Sequence, residues 1–487
     1  MAAGPPRVGA EVAVSATDVY ERTASNSPQV VADPTDSRFM ALANRIDAPF
    51  DCALQVSGDK GRGWVTAVPV TTLPEGVERC YAPEVAFDGH GRLYFLFLGL
   101  AGAGNSPVGA FLVHTDDRGR TFSAPQKVLD GQRYQVRMVI DRTIAKHGRI
   151  HLVWLQPGTA PGFGGLPSGA NPIMAAHSDD AGKTFSTPVQ VSDPARQRVV
   201  APAAVVGADH ILHVLYYDLQ DDARDYQGLA GPAWEGNWSL VATSSTDGGL
   251  HFSDGAVVDA AIVPPERVML IFTMTPPSLA VDSAGRLFAS WYDARNGDWD
   301  VFLRRSVDGG RTWAPAQRLN DDALGDGSSQ YLPRLATSPD GRVDAVFYDR
   351  RNNQENRGND VYYTYSTDHG QTFSANKRLT SRFFDSLVGP EYTLTSAEGL
   401  VEFGGRLALW SDSNGAFAAW TDTRNSILAP PAQDIFGARV ALRRPSGLRA
   451  PERAAGAALI LGGVLALGLA VFRAPGYGRS LTTEVTA

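Results

Sequence analysis

An eight-residue phrase recurs six times along this chain: SGDKGRGW at 57–64, TDDRGRTF at 115–122, SDDAGKTF at 178–185, STDGGLHF at 245–252, SVDGGRTW at 306–313 and STDHGQTF at 366–373. Successive copies start 58, 63, 67, 61 and 60 residues apart. A period held this closely means stacked repeats, each covering the hydrophobic face of its neighbour. The shared skeleton, Ser/Thr-x-Asp-x-Gly-x-(Thr)-aromatic, is turn chemistry. The aspartates (Asp59, Asp117, Asp180, Asp247, Asp308, Asp368) can accept backbone N–H groups of their own turn, the glycine takes a conformation other residues resist, and the aromatic plugs the hairpin base into the core. The phrase is therefore read as structural.

The repeat continues between the phrases. Residues 276–319, PPSLAVDSAGRLFASWYDARNGDWDVFLRRSVDGGRTWAPAQRL, read as four short strands separated by turns, and the same grammar starts at Ser27, Ala82, Ala201 and Pro333, with a looser copy at Arg137. Four strands per unit make a propeller blade. A seventh unit begins at Arg406 but ends before any Asp phrase, so its blade lacks an outer strand. VGAEVAVSAT at 8–17 alternates like the strands that follow the other phrases. The expected fold is all-β, a propeller of seven four-stranded blades (six is the alternative) over 1–444, closed by the N-terminal strand so that no edge stays open.

The phrases resemble the Asp box, or BNR repeat, of the sialidase-like β-propellers. The resemblance implies either an exo-sialidase-type glycoside hydrolase with a diverged site or a glycan- or protein-binding module. Sialidases use a Tyr activated by a Glu, an Asp as acid and base, and three arginines on the sugar carboxylate, usually with a Phe/Tyr-Arg-Ile-Pro motif. The nearest string here, NRIDAP at 44–49, lacks both the aromatic and the adjacent Pro, and sialidases usually have six blades. Both departures favour the binding module.

Candidate site residues come from two patterns. Trp/Phe-x-Asp-x-Arg-Asn occurs at 291–296, 347–352 and 420–425, and Arg295, Arg351 and Arg424 could ring the channel mouth as ligand-binding cations or pair with aspartates of the blades. Residues that break the repeat are better functional candidates, because a substrate is asymmetric. Among those in the blade-to-blade crossovers, Arg137, Arg334, Glu391 and Tyr392 are the catalytic candidates. A long insertion at 218–238 carries Tyr226, Trp234 and Trp238, aromatics suited to stacking on a sugar or packing the loop. No cofactor or metal is implied. The oxygen-rich Asp293–Asp300 loop could hold structural calcium but lacks the Gly and terminal Glu of an EF-hand.

Composition fits a turn-rich β protein: 50 Gly and 31 Pro in 487 residues, with 20% charged. A net charge of −8 with no basic stripe argues against nucleic acid. Residues 454–472, AAGAALILGGVLALGLAVF, are uncharged and would span roughly 28 Å as a helix, close to a hydrocarbon core. They are read as a single transmembrane helix, after a 445–453 linker and before a 473–487 tail. Arginines before the span outnumber those after it, which taken alone puts the propeller in the cytoplasm. The resemblance to mostly secreted propellers, and a chain that starts almost on a strand as if a signal peptide preceded it, point outside. An extracytoplasmic propeller at a bacterial cell surface is the expectation. Cys52 and Cys80 fall on one face, either as a disulfide or as two buried thiols.

Overall fold

The computed structural model describes residues 6–15, 24–47, 49–143, 147–157, 171–222, 236–263, 275–386, 388–389, 404–425 and 433–442. The ring is formed within Arg7–Ala441. Seven antiparallel sheets follow one another in chain order, and no helix occurs among the described residues. The innermost strands are Ala24–Ala32, Arg79–Phe87, Tyr134–Asp141, Val199–Val206, Ser278–Val281, Gln330–Thr337 and Ala408–Asp412, one for each of blades 1 to 7.

The N-terminus closes the ring. Arg7 and Val8 pair with Ala441 and Val440, and Val12 and Ala13 pair with Gly437 and Phe436, giving blade 7 its outer strand. Glu11, between these pairs, receives two 2.9 Å hydrogen bonds from the Arg424 guanidinium and one from the Ser381 hydroxyl of blade 6. The chain start thus ties together blade 7 and its neighbour.

Each Asp phrase folds as its residues dictate. In the third copy the Asp180 Oδ1 accepts the Ser178 hydroxyl at 2.8 Å and the Thr184 amide at 2.9 Å, while Oδ2 accepts the Thr184 hydroxyl at 2.6 Å. Gly182 sits at φ +84°, and a Cβ there would lie 2.5 Å from Leu112 of blade 2. The turn glycine is therefore the point where one blade's hairpin touches the next blade's core. Gly61 makes the same approach to Phe417, joining blade 1 to blade 7. Between blades, apolar faces interlock: Val30 and Met40 of blade 1 pack with Ala408, Phe417 and Ile435 of blade 7.

The Trp/Phe-x-Asp-x-Arg-Asn motif is a second repeated clamp. The buried Trp291 and Trp420 donate their indole N–H groups to Asp293 and Asp422 at 2.8 and 3.1 Å. The Arg beyond each aspartate folds back on it and stacks over a third-strand ring, Arg295 over Phe302, Arg351 over Tyr362 and Arg424 over Phe436. The Asn bridges to the start of the next strand, as Asn296 does to Asp300 at 2.6 Å.

The expected membrane helix at 454–472, its linker and its tail lie outside the described residues. Among the described residues no helix is long and apolar enough to cross a membrane.

Closure and burial can each be tested. Deleting residues 1–17 removes the outer strand of blade 7 and one acid partner of Arg424; Tm should fall by roughly 5 °C or more, and an unchanged Tm would refute closure by this strand. The second test concerns pH. Burial holds His151 and His213 at about 4, and their Nδ1 and Nε2 atoms respectively have no hydrogen-bond partner among the described residues. Below about pH 6.5 the unfolded chain binds protons that the folded chain refuses, so stability declines from there to about pH 4, by roughly 3 kcal/mol per histidine. Asp180 and Asp308 are held at about 2 by the hydroxyl and amide of Thr184 and Thr312. Their contribution is present above the ordinary carboxylate range and is lost as pH falls toward 2. Urea midpoints should drop in two stages, 6.5 to 4 and 4 to 2, with H213L flattening the first.

Candidate functional site

Most innermost strands carry a register shift at the same height. It lies between Asn26 and Gln29, Tyr81 and Glu84, Tyr134 and Arg137, Val200 and Ala203, and Tyr331 and Arg334 in blades 1, 2, 3, 4 and 6. Within each shift one non-glycine residue adopts positive φ: Ser27, Ala82, Gln135, Ala201 and Leu332, at 48 to 57°. Such a residue costs about 1–3 kcal/mol, and the bulge it makes re-aims the side chains beyond it. In four of the five the next residue is Pro, which donates no ladder hydrogen bond. The residue after that lies at equivalent ladder positions around the axis: Gln29, Glu84, Arg137, Ala203 and Arg334.

These positions do not repeat chemically. At the centre sits the carboxylate of Glu84, buried, accepting Arg137 Nη1 at 3.0 Å and Arg406 Nη1 on one oxygen and Gln29 Nε2 at 3.4 Å on the other. Burial alone would raise this acid; the Arg406 and Arg137 charges outweigh it and hold the carboxyl below its ordinary range. Arg406 also donates to the carbonyls of Ser27 and Pro83, and Arg137 to that of Pro202. Arg334 faces the same centre and makes no hydrogen bond or ion pair among the described residues. A cavity of about 580 Å³ begins at this cluster and runs along the inner strands to the turns at Asp141–Thr143 and Gly207–Ala208. Those turns join first to second strands and so lie on the Asp-box face.

The opposite face carries an aromatic ledge between blades 5 and 6. The half-buried Tyr292 and Trp299 meet edge to face at 5.6 Å, and both approach Tyr331, at 6.2 and 5.7 Å. Arg350 lies 4.9 Å over the Tyr331 ring and donates to Asn359 and Ser386, while Asn359 donates to the Tyr331 hydroxyl at 2.7 Å. The half-buried rings of Tyr292 and Trp299, packed on the buried Tyr331 beside a fixed guanidinium and an amide, make a surface on which a pyranose can stack and hydrogen-bond.

The sequence candidates distribute unevenly over these features. Arg137 and Arg334 come together, along with Glu84 and Arg406, which no sequence motif marks. Arg295, Arg351 and Arg424 do not ring the channel mouth. Each is clamped to its own aspartate and to a second acid on or beside an outer strand: Asp259, Asp321 and Glu11. Trp238 is fully buried and donates to Asp222 at 2.9 Å, so it packs the blade and offers no stacking surface. Tyr226, Trp234, Glu391 and Tyr392 lie outside the described residues. Arg45 of the NRIDAP string is buried against Asp47 and Tyr81. Cys52 and Cys80 are bonded, with Cα atoms 5.5 Å apart, and join blade 1 to blade 2. In the Asp293–Asp300 loop, Arg295, Asn296 and Arg318 donate to the acids, and no group of three His, Cys, Asp or Glu among the described residues is arranged to hold a metal. The signal that would have found Glu84 was available: aligning SPQVVAD, APEVAFD, APAAVVG, PPSLAVD and LPRLATS leaves the residue after Pro as the column that changes character.

Residues 160–393 match the BNR repeat-like domain. No curated protein sequence matches the chain. Among solved structures it is similar to a protein of unknown function from Dyadobacter fermentans, at 13% identity over 90% of this chain and 99% of that one, TM-score 0.47. It is also similar to a Hadza microbial sialidase, at 15% over 83% and 74%, TM-score 0.46. An alpha-L-arabinanase from Penicillium chrysogenum aligns at 14% over 78% and 98%, TM-score 0.44. The periodic Asp boxes and the blades they build lead to one conclusion: this chain is a seven-bladed β-propeller, similar over residues 160–393 to the BNR repeat-like domain.

Proposed function

We propose that this protein is a glycan-binding propeller, displayed outside the cell by a membrane helix at 454–472, and that it does not hydrolyse sialosides. The observation that carries the reading is the ledge of Tyr292, Trp299 and Tyr331 with Arg350 on the face away from the Asp boxes. A sialidase clamp needs three arginines free to meet a substrate carboxylate. Here Arg137 and Arg406 already hold Glu84, and Arg295, Arg351 and Arg424 each hold at least two acids. The Cys52–Cys80 bond supports an oxidising compartment, since disulfides persist outside the reducing cytosol.

Screening the full-length chain in detergent against a glycan array, followed by calorimetry, tests the assignment. Trp299→Ala should weaken the bound glycan by roughly 2 kcal/mol, about thirtyfold. Binding to no glycan, or binding indifferent to Trp299→Ala, removes the ledge as the site. Release of sialic acid from a fluorogenic sialoside by the wild-type chain would establish the hydrolase reading in its place.

Topology has its own measurement. On intact cells a membrane-impermeant thiol reagent should label Cys52 and Cys80 only after an impermeant reductant is added. Labelling confined to lysed cells without reductant places the propeller in the cytoplasm.

A further inference from the structure

We propose that the central channel, entered from the Asp-box face, is a second binding site, and that it takes a doubly charged oxyanion of the phosphate or sulfate class with Arg334 as its principal ligand. The site shares no residue with the aromatic ledge: Arg334 lies beyond the bulge that follows Tyr331 on the same inner strand and borders the cavity that opens toward the Asp-box face.

Charge is the first argument. Among the described residues Arg137, Arg334 and Arg406 face one carboxylate, Glu84, a balance of three positive charges against one negative. The mouth does not cancel them. Asp141 there is engaged by Thr143 and by His210, and Arg142 at the same turn donates to the carbonyl of Phe87. Each of these groups has its partner without drawing on the charge at the centre.

Arg334 supplies the second argument. An arginine enclosed by protein ordinarily finds a carboxylate or several carbonyls, as Arg137 and Arg406 do. Arg334 has neither among the described residues, although Glu84 is near enough to favour its charged form. Burial, added to the like charge of Arg406, pushes the Arg334 guanidinium down to about 10. A half-buried cation bordering open volume, with its charge disfavoured by desolvation, is stabilised when an anion enters. Its planar fork presents two parallel N–H groups, the geometry that a tetrahedral oxyanion accepts.

Shape is the third. The cavity of about 580 Å³ far exceeds one anion, and beyond the arginines its walls carry an apolar stretch of Val139, Val205, Leu279, Val281 and Leu335 beside the polar Thr337 and the Asp141–Thr143 turn. It accommodates a free anion or an ester whose organic part lies along those walls. The bulges that turn Glu84, Arg137 and Arg334 inward are what such a site requires, because a regular ladder would repeat one chemistry around the ring.

The full-length chain in detergent, titrated at pH 7 with sodium phosphate, sodium sulfate and phenyl phosphate at constant ionic strength, should show one saturable site. Chloride at equal ionic strength should give none. Phenyl phosphate binding more tightly than phosphate identifies an ester as the natural occupant; the reverse order identifies the free anion. Arg334→Met should weaken the anion at least tenfold while leaving Tm equal or higher, since it removes an unpaired enclosed charge. Arg334→Lys, which keeps the charge and loses the fork, should weaken binding several-fold and serves if R334M fails to fold. Trp299→Ala should leave phosphate binding unchanged. Absence of a saturable site for all three anions, or full affinity in both Arg334 variants, overturns the proposal.

Discussion

A ring of blades has a channel only if it closes, and closure here rests on the pairing of residues 7–13 with the strand Asp434–Ala441. Blade 7 supplies three strands from the C-terminal end of the propeller and takes its fourth from the N-terminal end. Chain entropy opposes joining ends so far apart in sequence, but that cost grows only logarithmically with loop length. Strand pairing, the Val14 side chain in the blade 7 to blade 1 core, and the Glu11–Arg424 pair offset it locally. Every later feature, from the Gly61–Phe417 contact to the juxtaposition of Glu84 with Arg406, exists because that seam holds.

The molecule separates its charged groups into two kinds. Those that obey the repeat, the Asp boxes and the Asp-x-Arg-Asn clamps, are satisfied within a blade or with the next and lie toward the rim. Their strength comes from several donors meeting one fixed carboxylate, as the Trp291 indole and the Arg295 guanidinium both meet Asp293. The charges that break the repeat gather on the axis. A buried ion cluster with excess charge does little for stability, because desolvation consumes most of the Coulombic gain. An axis lined with Val or Ala at all seven positions would be the more stable ring. The presence of Glu84 and three arginines there is therefore better explained by what the channel meets than by what holds it together.

The fold was legible because its determinants are local. Six boxes, one period and a truncated seventh unit specify blade number, strand order and the need for an N-terminal partner, each within a window of some sixty residues. The site was legible only in part, and the reason is physical. Arg137 and Arg334 stood out because they break the repeat, but Glu84 and Arg406 lie 322 residues apart and meet only across the closed ring. For Arg295, Arg351 and Arg424 the motif left two readings open because it gives the strand end and not the side-chain direction; stacking on Phe302, Tyr362 and Phe436 and the aspartate pairs settle it as structural pairing. Trp238 misled by one position, since it starts the strand Trp238–Ser245 and does not belong to the loop before it.

The two candidate sites also differ in what each face allows. Crossovers and second-to-third strand loops vary freely in length without disturbing the ladders, so the face they form can acquire a ledge such as Tyr292, Trp299 and Tyr331. The Asp-box face is fixed by turn glycines that touch the neighbouring blade, and change there disturbs the ring itself. New chemistry on that side is confined to the axis, where in five blades a bulge sets the aim of an inner-strand side chain. That constraint accounts for the location of Arg334, unpaired among the described residues: along the channel residue identity is free of the repeat.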